Sequence, residues 1–194
     1  MVKINPVEIK GNWVYGVALD VHTLSSQYLG QDPFGHDVFD TQRSPLGELV
    51  YRLKYGHDKS VIDEIVETII NYSKLKSIDV ILPVPPSNLD RPFQPVYEIA
   101  TELVKRLDKK LCFNSIKKIK KTLELKGITD LAKRLEILAD AFEIDCSEIE
   151  GKVVLLFDDL YRSGASLNAI TTALSKAGVT QVKVLTLTRT RSKS

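Results

Sequence analysis

Val153-Val154-Leu155-Leu156-Phe157-Asp158-Asp159-Leu160-Tyr161-Arg162-Ser163-Gly164-Ala165-Ser166 decides the reading of this chain. Five consecutive apolar residues are the pattern of a parallel strand covered on both faces. Leu167, Ile170 and Leu174 continue as the stripe of an amphipathic helix. The two acids and the Ser/Gly turn therefore fall at the carboxyl end of a strand, where open α/β sheets bind ligands. The turn from Arg162 to Ser166 enters a helix N-terminus, whose backbone N–H groups suit a phosphate. The acids repel that phosphate; they suit hydroxyls, or a hard cation such as Mg²⁺. Together the two features ask for a sugar phosphate.

The remaining composition excludes more than it selects. At 194 residues the chain has the length of one domain with a good core. A net charge of +2 selects no partner class. No run of 18 apolar residues occurs, so no membrane span is expected. Met1 to Pro6 lacks a signal-peptide hydrophobic region, and the expected location is the cytoplasm. Cys112 and Cys146 are isolated and lack C-x-x-C spacing, so buried free thiols are expected rather than zinc ligands. His22, His36 and His57 share no metal-ligand spacing and read as surface or hydrogen-bonding residues; no Ser/His/Asp set suggests a hydrolase.

Outward from the quoted stretch, strands and helices alternate. Pro45 to Tyr55 reads as a helix with proline in its first turn, and Val61 to Ile70 as a second. Ile78 to Val84 is an apolar strand stopped by Pro85-Pro86. Val96 to Leu107 has helical spacing, Leu111 to Ile119 is strand-like, Thr129 caps a helix running to about Phe142, and Thr180 to Thr188 is a last strand. Ser147 and Glu150 have capping-box spacing, which is discounted because a strand follows. The order predicts an α/β fold: a mainly parallel, twisted sheet flanked by helices over residues 45–194. Residues 1–44 differ. They carry Trp13, Tyr15, Tyr28, Phe34 and Phe39, a strand-like Trp13 to Val21 and a turn at Gln31 to Gly35, and read as a small β-rich hood.

Val154 to Ser166 resembles the 13-residue signature by which type I phosphoribosyltransferases bind phosphoribosyl pyrophosphate (PRPP). Several further segments are similar to the ComF competence-protein group of that family. These are Arg52-Leu53-Lys54-Tyr55-Gly56, Leu82-Pro83-Val84-Pro85, Arg91-Pro92-Phe93-Gln94-Pro95, Lys121-Thr122 with Leu131 to Phe142, and Val184 to Arg189. The chain departs from that group in lacking its N-terminal four-cysteine zinc ribbon, in Pro92 and Pro95 where Gly and Gln are usual, in Ile137 in place of Asn, and in Arg162 at a loop position usually small or acidic. The resemblance implies transfer of a 5-phosphoribosyl group from PRPP to a small-molecule acceptor. Asp158 and Asp159 would hold the ribose, and Arg162, Ser163, Gly164, Ala165 and Ser166 the 5′-phosphate. Val84, Pro85, Pro86 and Ser87 would meet the pyrophosphate. Mg²⁺ would enter through PRPP and through Asp158 and Asp159. The family also implies a homodimer. The alternative function is a non-catalytic PRPP- or nucleotide-binding protein acting in DNA uptake or regulation.

Residues 105–126 hold nine lysines and arginines against Asp108 and Glu124. Such a run reads as a solvated face or as a single-stranded nucleic-acid surface; the resemblance implies instead a flexible loop closing over the site, with a lysine that neutralises the leaving pyrophosphate. Lys117, Lys118, Lys120, Lys121 and Lys126 are the loop candidates. The nucleic-acid reading lacks stacking aromatics, since only Phe113 lies within the run.

Overall fold

The computed structural model describes residues 1–72, 77–86, 93–119, 138 and 141–191. Its elements in chain order are β1 (Val7–Glu8), β2 (Tyr15–Val21), β3 (Thr23–Gln31), β4 (Asp37–Arg43), α1 (Pro45–Tyr55), α2 (Ile62–Asn71), β5 (Val80–Pro83), α3 (Pro95–Leu107), β6 (Lys110–Leu111), β7 (Ile116–Lys118), β8 (Phe142–Ile144), β9 (Val153–Tyr161), α4 (Ala165–Lys176) and β10 (Gln181–Arg189). Six strands form one sheet in the order β1-β2-β10-β9-β5-β6. β1 pairs antiparallel with β2, and the other neighbouring strands run parallel.

The apolar run of β9 is explained by its central place. Leu155 and Phe157 face a core built with Leu46, Leu49 and Leu53 of α1, Ile65 and Ile69 of α2, and Ile99 and Leu103 of α3. Val154 and Leu156 face the opposite core with Leu167, Ile170 and Leu174 of α4. Successive residues of a strand point to opposite faces, so both faces need apolar cover. The helix starts follow their sequence signals. Ser44 Oγ accepts from Gly47 N at 3.0 Å, ahead of Pro45 in the first turn of α1.

Residues 1–44 divide between two places. β1 and β2 belong to the central sheet, and Tyr15–Val21 supplies buried Val17, Ala18 and Leu19 beside β10. β3 and β4 form a separate two-stranded antiparallel ribbon. Leu111 to Ile119 is not one strand. β6 ends at Leu111, the chain turns through Phe113 to Ser115, and β7 pairs antiparallel with β8. Phe113 leaves the sheet to pack on Tyr97 of α3, with ring centroids 4.9 Å apart. The helix expected from Thr129 lies outside the described residues except near its end, where Phe142 opens β8. Cys112 is buried, but Cys146 is exposed, because it lies in the surface turn between β8 and β9. Among the described residues no helix is long and apolar enough to cross a membrane.

Candidate active site

Asp158 and Asp159 lie near the carboxyl end of β9, with Asp158 in register with Thr186 of β10. Strand alternation sends their side chains apart. Asp158 follows Leu156 to the α4 side, and Asp159 follows Phe157 to the side of α1. There Lys54 Nζ donates to Asp159 Oδ2 at 2.6 Å. Asp159 N donates to Asp158 Oδ1 at 2.8 Å and holds that carboxyl, while the Thr188 hydroxyl donates to the main-chain carbonyl of Asp159 at 3.1 Å. His22 Nδ1 lies 3.2 Å from the same hydroxyl. Burial, then the charges of Arg43 and Lys54, hold its pKa below the usual histidine value.

Asp158 makes no direct ion pair among the described residues, and the charge of Lys54 acts on it only weakly. Burial, then the charge of Asp159, push its pKa well above the usual carboxylate range. The folded protein therefore holds a proton that the unfolded chain has released. Across that window stability falls as pH rises. The melting temperature of the ligand-free protein, followed by circular dichroism from mildly acidic to neutral pH, is expected to decline. Asp158→Asn should remove most of the decline; an equal slope in the variant would contradict this origin.

The turn after β9 is built around Gly164, whose φ of +73° is left-handed. Its carbonyl accepts from both Asn168 N and Asn168 Nδ2, at 2.8 and 2.9 Å, which starts α4. The amides of Ala165, Ser166 and Leu167 precede the first intrahelical bond, the groups by which a helix N-terminus meets an anion, and Ser166 lines the cleft.

These elements border one cleft of about 220 Å³. Its wall includes Asp158, Asp159 and Ser166 on the β9–α4 side, Val84, Pro85 and Pro86 after β5, and Lys118 of β7. Arg162, Ser163, Gly164 and Ala165 form the turn leading to Ser166 rather than the wall itself, and Arg162 is exposed. Val84 to Pro86 offer pyrophosphate no backbone donor. Val84 N already donates to Phe157 O at 2.8 Å, and proline has no N–H. Ser87 lies outside the described residues, as do Lys120, Lys121 and Lys126. Lys117 is exposed, whereas Lys118 faces the cleft and burial lowers its pKa. Part of the basic run is a paired surface: Lys105 and Arg106 meet Glu102, Arg106 meets Asp63, and Lys110 meets Glu148.

Sequence reasoning missed Lys54, Gln94, Tyr97 and Phe142, which also line the cleft. Lys54, Gln94 and Phe142 lie within segments singled out only by resemblance; Tyr97 carries no signal beyond helical spacing. For a divalent cation, the hard oxygens of Asp158 and Asp159 are a suitable but incomplete donor set. Among the described residues no three His, Cys, Asp or Glu side chains converge to hold a metal. The site fits a cation that brings further oxygen ligands with its substrate.

No curated protein matches the chain by sequence. Among solved structures, the adenine phosphoribosyltransferase of Thermoanaerobacter pseudethanolicus is similar at 14% identity, over 84% of this chain and 94% of that one, with a TM-score of 0.47. The Saccharomyces cerevisiae adenine phosphoribosyltransferase is 14% identical over 86% and 84%, with a TM-score of 0.45. The Staphylococcus aureus hypoxanthine phosphoribosyltransferase is 20% identical over 67% of this chain, which spans 64% of that one, with a TM-score of 0.42. The family described as "Phosphoribosyl transferase domain" matches residues 60–194, a segment that contains the β5 loop, the acids of β9 and the turn into α4. The chain belongs to the phosphoribosyl transferase domain family of enzymes.

Proposed function

We propose that this enzyme transfers a 5-phosphoribosyl group from PRPP to a nitrogen nucleophile of a small molecule and releases pyrophosphate. The observation that carries the reading is the convergence of the two β9 acids and the first turn of α4 on one cleft. In this reading the acids accept hydrogen bonds from the ribose hydroxyls, and the amides at Ala165 and Ser166 hold the 5′-phosphate. The sugar is then fixed at both ends while its anomeric carbon gains oxocarbenium character, which is catalysis by positioning. Lys118 supplies positive charge on the wall facing the departing pyrophosphate. Mg²⁺ bound with PRPP would neutralise that leaving group, and Asp158 and Asp159 are the described residues suited to hold it. The segments shared with the ComF group support a place near that group, and with it a cytoplasmic dimer.

The test is titration with PRPP plus Mg²⁺, followed by a pyrophosphate-release assay across purine, pyrimidine and amine acceptors. Binding with acceptor-dependent release is expected. Binding without release under every acceptor would leave a non-catalytic PRPP receptor, and absence of binding would remove the reading.

A further inference from the structure

Lys54 precedes the residues that match the family, and the reading above gives it no task. It lies in the last turn of α1, and its ammonium reaches Asp159 at 2.6 Å, with side chains 25% and 13% exposed. It also lines the cleft beside Asp158, Val84 and Pro85. An ammonium in that position does what a hard cation would do: it occupies a carboxylate oxygen and cancels its charge. A divalent ion arriving alone must displace it. The ion would then have two protein carboxylates and no third ligating side chain among the described residues. An ion arriving on PRPP brings phosphate oxygens of its own, so its binding depends less on Asp159.

Resting on the transferase reading, we propose that Lys54 is the resident counter-ion of the acid pair, holding Asp159 in place and keeping free divalent cations off the acids until PRPP delivers one. Lys54 is thus a positioning residue. A purely structural tie between α1 and β9 would anchor the helix without controlling metal entry, and the two roles separate in a measurement that needs no turnover.

Mn²⁺ alone is titrated into the whole protein, and free Mn²⁺ is followed by electron paramagnetic resonance. Lys54→Met is expected to bind Mn²⁺ about tenfold tighter than wild type, or more, because a competing charge in direct contact is gone. Lys54→Arg, which keeps the charge, should stay within about threefold. Arg52→Met should also stay within about threefold. It removes a charge from the same helix end, but from a side chain that holds Asp58 rather than the acid pair. Melting curves accompany each variant, and Lys54→Gln replaces Lys54→Met if the latter fails to fold. Wild-type affinity in both neutral variants overturns the proposal, as does an equal rise in Arg52→Met. Titration of wild type with PRPP and Mg²⁺ judges the transferase reading separately, and the Mn²⁺ comparison decides the role of Lys54 whichever way that titration falls.

Discussion

Asp158→Asn combined with Asp159→Asn is expected to abolish measurable PRPP binding while the protein stays folded. Asp159 offers a charged acceptor to a ribose hydroxyl, where a hydrogen bond contributes about 1.5–3 kcal/mol, and Asp158, which burial holds toward its neutral form, offers a second carboxyl whose bond contributes about 0.5–1.5 kcal/mol. Losing both corresponds to roughly 2–4.5 kcal/mol, a loss on the order of 10 to 10³ in affinity. Loss of the two carboxyls also weakens the hold on any cation that PRPP carries. The fold has little reason to fail. Burial already opposes the charged form of Asp158, so a neutral isostere lifts a penalty rather than adding one. Asp159→Asn leaves Lys54 without its carboxylate, but that ammonium is 25% exposed and reaches water. Calorimetric titration with PRPP and Mg²⁺ beside a melting curve makes the comparison. An unchanged dissociation constant would refute the role given to the acids; a variant that no longer folds would show that they support the sheet.

What was legible in the sequence was whatever the local pattern determines. A strand buried on both faces must be apolar throughout, so Val153 to Phe157 identified the sheet centre without further help. A glycine followed by a helical stripe identified the turn and α4. Partnerships across long stretches of chain were not legible. Trp13 to Val21 reads as a strand, but the pairing of Tyr15–Val21 with β10, where Lys183 sits opposite Tyr15, is set by tertiary packing. The β6–β7 break was hidden because Leu111 to Ile119 keeps apolar content, while its direction is set by Phe113 finding Tyr97. The division of labour between the acids was equally hidden. Two adjacent aspartates look equivalent as letters, and strand alternation makes them unlike. One pairs with a lysine 105 residues away, and burial holds the other toward its neutral form. The proline-rich loop shows a residue-level limit of another kind. Pro85 and Pro86 mark the strand end clearly, yet prolines cannot donate, so their presence argues for wall-building rather than anion binding.

Gly164→Ala is expected to separate the phosphate half of the site from the ribose half. The φ of +73° at this position costs an L-residue about 1–2 kcal/mol. Space adds to the strain: a Cβ would sit 2.9 Å from Tyr161 Cε2 and 2.9 Å from the Tyr161 hydroxyl oxygen. Tyr161 has limited freedom to retreat. It closes β9, its carbonyl accepts from Thr190 N at 2.9 Å, and its ring packs against the core under α4. Either the ring shifts or the turn does, and a shifted turn re-aims the amides of Ala165 and Ser166. A destabilisation of roughly 1–3 kcal/mol is expected, read as a melting temperature lowered by about 2–12 °C. PRPP affinity should fall by on the order of 100-fold, as two charge-assisted contacts to phosphate weaken. Inorganic phosphate, titrated by ³¹P NMR, makes the test specific. Its binding should weaken in Gly164→Ala, whereas in the double asparagine variant it should be retained or strengthened, because the nearby charge of Asp159 is gone and no acid is left to ionise at 158. If both variants lose phosphate to the same extent, the turn and the acids do not act on separate ends of one ligand. If Gly164→Ala keeps full phosphate and PRPP affinity, the anion lies elsewhere and the helix N-terminus is only the start of a helix.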